Sequence, residues 1–178
     1  MNRFDHVFTD LPNSFLTGVD QVCIVTRDLK STAKRMAQQL GIGPWWIRTF
    51  EPPLLRETYL RGKPVRCAMK IGLAWTGAMN WELVEPVEGP TIYDEFLKSQ
   101  GEGLHHLAFL RKRLGTSWEA CHAEFAARGF SRLFEGKWDE VSFCYYDTLD
   151  ATHTTLEVID RPEGWERPDP DEWLPARG

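Results

Sequence analysis

GVDQVCIVT at residues 18–26 and GLHHLAFL at residues 103–110 are the two stretches on which the fold turns. Each opens on a glycine and runs into apolar residues. Each carries a polar side chain three positions after that glycine, Gln21 in the first and His106 in the second. The valine and isoleucine of the first favour a strand over a helix. A helix signal follows it. Asp28 can cap a helix to about Leu40, and Leu29, Ala33, Met36, Ala37 and Leu40 follow helical spacing. Gly41, Gly43 and Pro44 stop that helix. After the later copy, Ser117–Arg128 reads as the helix, with Trp118, Cys121, His122 and Phe125 near one face and Gly129 as its stop.

Three strands are expected after each helix. The first set is Trp45–Phe50, Val65–Ile71 and Met79–Glu85, with Pro52 and Pro53 breaking the chain and an irregular segment reaching Lys63. The second set is Phe130–Trp138, Val141–Tyr146 and Thr154–Asp160. A short helical segment, Ile92–Lys98, lies in the linker between them. Each copy closes on an acid-bearing strand, NWELVEP at 80–86 and TTLEVID at 154–160. Such a repeat speaks to the whole architecture. One helix on one small sheet leaves the other sheet face bare, and two modules can curve around a shared cleft to cover it. The fold class is therefore α+β, two paired βαβββ modules forming a curved mixed sheet around a central cleft. The expected division is a leader at 1–17, the first module with its linker at 18–98, the second module at 99–161 and a Pro- and acid-rich tail at 162–178. The tail is read either as wrapping the surface or a partner subunit through Trp165 or Trp173, or as a disordered end.

Composition narrows the function classes. The chain has 178 residues, with 21 Lys and Arg against 26 Asp and Glu, a formal charge of −5. There is no basic stripe for nucleic acid. No apolar run approaches a membrane span, and the N-terminus carries acids and a proline where a secretion signal needs an apolar core. A cytoplasmic location is the expectation. Cys23, Cys67, Cys121 and Cys144 form no CxxC pair and sit among apolar neighbours, so they read as buried free thiols.

The repeat puts four residues in equivalent places. Gln21 and His106 lie on the first strand of each copy, Glu82 and Glu157 on the last. If the copies face each other, an amide, an imidazole and two carboxylates point into one cleft. Such a set suits one divalent ion, with zinc, nickel, cobalt, manganese and iron all open. Singly, each has a plainer reading. Gln21 could sit at the module interface, and Glu82 and Glu157 could face solvent. His106 competes with His105, since neighbouring strand residues face opposite ways. The repeat offset favours His106 inside.

At these residues the sequence resembles the vicinal oxygen chelate superfamily, which includes glyoxalase I, methylmalonyl-CoA epimerase, extradiol dioxygenases and antibiotic-resistance proteins. The resemblance covers about residues 18–161 and is carried by GVDQVCIV, ELVEP at 82–86, GLHHLAF and TLEVID. It implies paired βαβββ modules around a metal cleft, with Gln21, Glu82, His106 and Glu157 as ligands. Glutamine at position 21 resembles eukaryotic glyoxalase I, whereas epimerases carry histidine there. The glyoxalase arginine for the glutathione carboxylate falls at Val25, which argues against that substrate. The second base of the epimerases falls near Arg66, where no acid stands; Glu57 is the nearest upstream acid.

The chemistry expected is Lewis-acid stabilisation of an enolate, with a proton removed beside a carbonyl. Glu157 would act as base and Glu82 would hold the ion. Arg66 could clamp a substrate anion or simply face solvent. Tyr145 could donate a proton or hydrogen bond. Trp45, Trp46, Tyr59 and Phe143 are candidate pocket walls, with one tryptophan of the pair lining the cleft and the other packed in the module. The leading expectation is a metal-dependent isomerase or epimerase acting on a carbonyl or acyl-thioester substrate, as a homodimer. A lyase or cyclisation catalyst using the same site, or a non-catalytic small-molecule binding or resistance protein, is the alternative.

Overall fold

In the computed structural model of the chain, residue 11 and residues 13–176 are described. Most of the leader expected at 1–17 and the last two tail residues lie outside them. The first half runs β1 (Gln21–Val25), α1 (Leu29–Leu40), β2 (Trp45–Phe50), β3 (Leu55–Leu60), β4 (Lys63–Pro64), β5 (Ala68–Thr76), β6 (Met79–Glu88) and α2 (Ile92–Ser99). The second runs β7 (Gly103–Leu110), α3 (Arg111–Leu114), α4 (Trp118–Ala127), β8 (Arg132–Trp138), β9 (Val141–Tyr146), α5 (Leu149–Thr152), β10 (Thr155–Asp160) and β11 (Glu172–Leu174).

All strands join one curved mixed sheet in the order β11-β2-β5-β6-β1-β7-β10-β9-β8-β3-β4. Within each module the first and last strands pair in parallel, β1 with β6 and β7 with β10. The modules meet along antiparallel β1 and β7, where Cys23 stands opposite His106. The helix ends follow local chemistry. The Asp28 side chain accepts the Ser31 N–H at 2.9 Å, satisfying a free donor of the first turn of α1. Gly41 ends that helix in the left-handed conformation, at φ 67°.

Alternation along the strands divides the side chains between two faces. On the outer face, Leu29, Ala33 and Met36 of α1 pack on Trp45, Ile47, Ala74 and Leu83. Cys121 and Phe125 of α4 pack on Phe109, Tyr146, Leu156 and Val158 in the same way. The inner face gathers Cys23, Val25, Trp46, Met69, Ile71, Leu73, Phe134, Trp138 and Tyr145 into one core. The arms of the sheet curl far enough for Phe50 of β2 to stack on Trp138 of β8, ring centroids 4.0 Å apart.

Three local expectations are corrected. The strand read at Val65–Ile71 begins later, at Ala68, and runs to Thr76. The segment read as irregular up to Lys63 contains β3 and β4. β3 leaves its own module and pairs with β8 at the far edge of the other, with a register shift between Arg56 and Tyr59. Glu57 takes a positive φ there, which masks the period-two pattern. The tail, too, carries a strand, because β11 pairs with β2 and covers that edge.

Candidate functional site

The inner faces of the four central strands bring Gln21, Glu82, His106 and Glu157 together. All four are buried, His106 completely. The His106 Nε2 lies 3.1 Å from Glu82 Oε2 and 3.2 Å from Glu157 Oε2. Gln21 Nε2, Glu82 Oε2, His106 Nε2 and Glu157 Oε2 are nevertheless without a hydrogen-bond partner of proper geometry. A buried polar atom left unpaired costs about 1–3 kcal/mol. A divalent cation would satisfy the two carboxylate oxygens and the imidazole nitrogen, with Gln21 turning its amide oxygen rather than its Nε2 donor toward it, and imidazole, amide-oxygen and carboxylate ligands match borderline transition ions.

His105 faces the other way, against Phe96 of α2 and Tyr93, yet its Nδ1 is 2.9 Å from Nδ1 of His106. Burial and then His106 push His105 well below the usual imidazole range, so it is neutral. Its Nδ1 can then accept from the His106 Nδ1–H, which turns Nε2 to the two carboxylates: without an ion it carries a proton toward them, and with an ion bound it would present its lone pair instead. Burial pulls His106 down, but hydrogen bonding and charge from Glu157 and Glu82 outweigh it and raise it to about 9. Burial raises Glu157, against hydrogen bonds from His106 and Tyr145.

Tyr145 lies beside the cluster, its ring 4.9 Å from that of His106. The Tyr93 hydroxyl donates to the Tyr145 hydroxyl at 2.7 Å. Burial raises both phenols, so both stay protonated. Above the cluster is a cavity of about 70 Å³ whose walls include Phe50, Ile71, Leu73, Trp138, Phe143 and Tyr145. Among its described lining residues the only acids are Glu82 and Glu157. Phe143 is on this wall. Trp46 packs in the core of the inner face, whereas Trp45 lies outside it beneath α1.

Three site expectations do not meet the cavity, the first being the wall tryptophan, since neither Trp45 nor Trp46 is among its lining residues. The Arg66 side chain is 69% exposed and pairs with Glu88 at 3.2 Å. It precedes β5, whose inward residues are Met69, Ile71 and Leu73, so the position read as a clamp lies outside the sheet's inner face. Tyr59 is 38% exposed and lines an outer groove beside Glu57 and Arg132. The β3 crossing carries it there.

Other residues join the site unannounced. The Cys23 sulfur lies within 4.8 Å of ligand atoms of Glu82 and His106. Burial, then the charge of Glu82, raises its thiol well above normal. Its place two residues after Gln21 on one strand face is the signal that finds it. Arg161 continues the Glu157–Ile159 alternation of β10 into the cavity wall, while Arg167 and Trp165 arrive from the tail. The tail is fixed by Trp46 Nε1–H donating to the Pro168 carbonyl at 3.0 Å and the Thr49 N–H donating to Asp171 at 2.8 Å.

Among the described residues no helix is long and apolar enough to cross a membrane. No curated protein matches the chain in sequence. Solved structures share its fold at low identity. A hypothetical protein from Bacillus halodurans C-125 is 18% identical over 84% of this chain and 98% of its own, with a TM-score of 0.58. Methylmalonyl-CoA epimerase from Mycobacterium tuberculosis is 17% identical over 86% of this chain and 93% of its own, also at 0.58. A variant of the Streptomyces coelicolor methylmalonyl-CoA epimerase, in complex with 2-nitronate-propionyl-CoA, is 20% identical over 86% and 99%, at 0.56. A sequence model of the glyoxalase/bleomycin resistance protein/dioxygenase superfamily matches residues 20–145. With the repeated modules, the β1–β7 seam and this match together, the chain belongs to that superfamily, the vicinal oxygen chelate proteins.

Proposed function

We propose that this protein is a divalent-metal-dependent isomerase or epimerase that moves a proton on the carbon beside a carbonyl or acyl-thioester group, through an enolate. The observation that carries the reading is the burial of Gln21, Glu82, His106 and Glu157 on the inner faces of neighbouring strands, with one oxygen of each glutamate within 3.2 Å of the His106 Nε2. These residues would hold the ion, which when bound supplies Lewis acidity toward a substrate oxygen. Glu82 anchors. Glu157 takes and returns the proton beside Tyr145, whose hydroxyl accepts from Tyr93 and lines the same cavity. The apolar walls Ile71, Leu73 and Phe143 keep water from the reacting carbon. Because β5 offers no acid to the cavity, one carboxylate does the proton work, in place of a facing pair. A cytoplasmic homodimer belongs to the same reading, and sedimentation at about twice 20.6 kDa is its check.

The test combines metal analysis with solvent deuterium uptake by a panel of carbonyl compounds. Stoichiometric metal, with exchange abolished by chelator and by both Glu157→Gln and His106→Ala in folded protein, is expected. Exchange that survives both substitutions overturns the assignment. Protein with neither metal affinity nor exchange would instead fit a binding or resistance role.

A further inference from the structure

The cavity holds a second kind of chemistry beside the acid–imidazole cluster. Arg161 and Arg167 both line it, and neither guanidinium makes a hydrogen bond or ion pair with a described residue. They are held by aromatic faces instead. The Arg167 guanidinium carbon lies 5.1 Å from the ring centre of Trp46, 5.2 Å from Trp75 and 5.7 Å from Trp165. Arg161 lies 6.0 Å from Trp165 on its own side. Trp165 is itself pinned, its Nε1–H donating to Asp139 at 2.7 Å and its ring set edge-on to Trp138. A guanidinium stacked on indole faces keeps its edge donors free, and that edge matches a carboxylate bidentately. The Trp138 indole N–H, buried in the same wall, also has no partner.

Burial brings Arg167 down to about 10, which leaves it cationic at neutral pH. Glu82 and Glu157 are the cavity's described anions, and a bound divalent ion would offset them. Beyond them only Asp20, itself paired with Arg113 at 2.6 Å, acts on Arg161, so with an ion bound the two arginines present positive charge that a ligand anion would meet. The cavity is well below the roughly 300 Å³ of ordinary ligand pockets, so the enclosed group is small.

We propose that Arg161 and Arg167 form an anion subsite that takes the carboxylate of a small carboxylate-bearing carbonyl compound. The inference rests on the metal-dependent reading for its chemistry, but not for its test.

Titration calorimetry with pyruvate and phenylpyruvate against their methyl esters, on chelator-treated and on Mn(II)-loaded protein, tests it. The acids are expected to bind at least tenfold tighter than the esters. Arg161→Met and Arg167→Met, which keep an apolar stem, should each weaken the acids tenfold or more and leave the esters and Mn(II) affinity unchanged. Arg161→Lys and Arg167→Lys retain the charge without the fork and should lose about threefold or more. Acids and esters binding alike, neither binding, or the variants binding acids as tightly as the parent chain overturns the subsite. Acid selectivity in a protein that takes up no Mn(II) sustains the subsite and removes the metal reading alone.

Discussion

At His106 two demands meet: an imidazole must present a lone pair on one side and give up a proton on the other. The neighbouring His105 Nδ1, 2.9 Å away, answers the second demand, and so is a positioning residue. Replacing it with Phe keeps the packing against Phe96 and Tyr93 but removes the acceptor. Mn(II) or Zn(II) affinity should fall about tenfold, measured by competition with a chelating dye, with unchanged near-ultraviolet circular dichroism. Cys23 offers the opposite expectation. With Gln21, Glu82, His106 and Glu157 as the proposed ligands, the thiol is left outside the ion's shell, so Co(II)-loaded protein should show no intense thiolate charge-transfer band. Such a band, lost in Cys23→Ser, would make Cys23 a ligand. The cluster was legible from residues 21, 82, 106 and 157 because equivalent places in a repeat share a face. Cys23 was equally legible by alternation but was read as core, which it also is. Arg66 and Tyr59 were misread because both depend on where β5 and β3 begin and on which edge β3 joins. Arg167 lies in a Pro-rich segment without periodicity, where only tertiary contacts decide the direction of a side chain.

Among the elements, α2 shows how a short helix is fixed by its ends. The Thr91 side chain accepts the Asp94 N–H, and the Asp94 carboxylate accepts the Thr91 N–H in return. Thr91→Ala should cost about 1 kcal/mol in urea denaturation, with the slope unchanged. The same helix is tied to the β3–β4 turn by Arg61, whose two terminal nitrogens donate to Glu95 at 2.8 Å each. The hydrogen bonds to Arg61 hold the Glu95 carboxyl below its usual range. The pair therefore contributes stability above the unfolded carboxylate pKa, about 4.3, and that contribution is lost as pH falls through the lower folded value. Because both groups are about half exposed, the effect is modest, and Glu95→Gln should flatten the acid limb of the stability profile in low salt. Gly136 on β8 marks the closest approach between crossing elements. An added Cβ would meet Phe143 at 2.8 Å and Thr58 of β3 at 2.9 Å. Gly136→Ala should cost about 1–3 kcal/mol and lower the thermal midpoint.

On the scale of the whole molecule, the repeat foretold the paired modules and the curved sheet, whereas the traffic between them was hidden. Nothing local in LRETYL or in EWL announces a partner far along the chain, since each is too short to carry a pattern of its own. The tail makes the same point functionally, because it supplies Trp165 and Arg167 to a cavity otherwise built from strands. Trp165→Ala should destabilise the fold by about 2–3 kcal/mol, less than for a fully buried tryptophan, and should raise acrylamide quenching of the remaining tryptophans.

The strand that the first module lends to the edge of β8 has a further consequence. Each half carries a piece the other requires, in the manner of two hands clasped with one finger interlaced. Cut between Gln100 and Gly101, the gene would give two fragments that stay aggregation-prone apart and become protected from protease only when made together. The intact chain, obliged to find that distant partner before its margin is sealed, should refold slowly for its size.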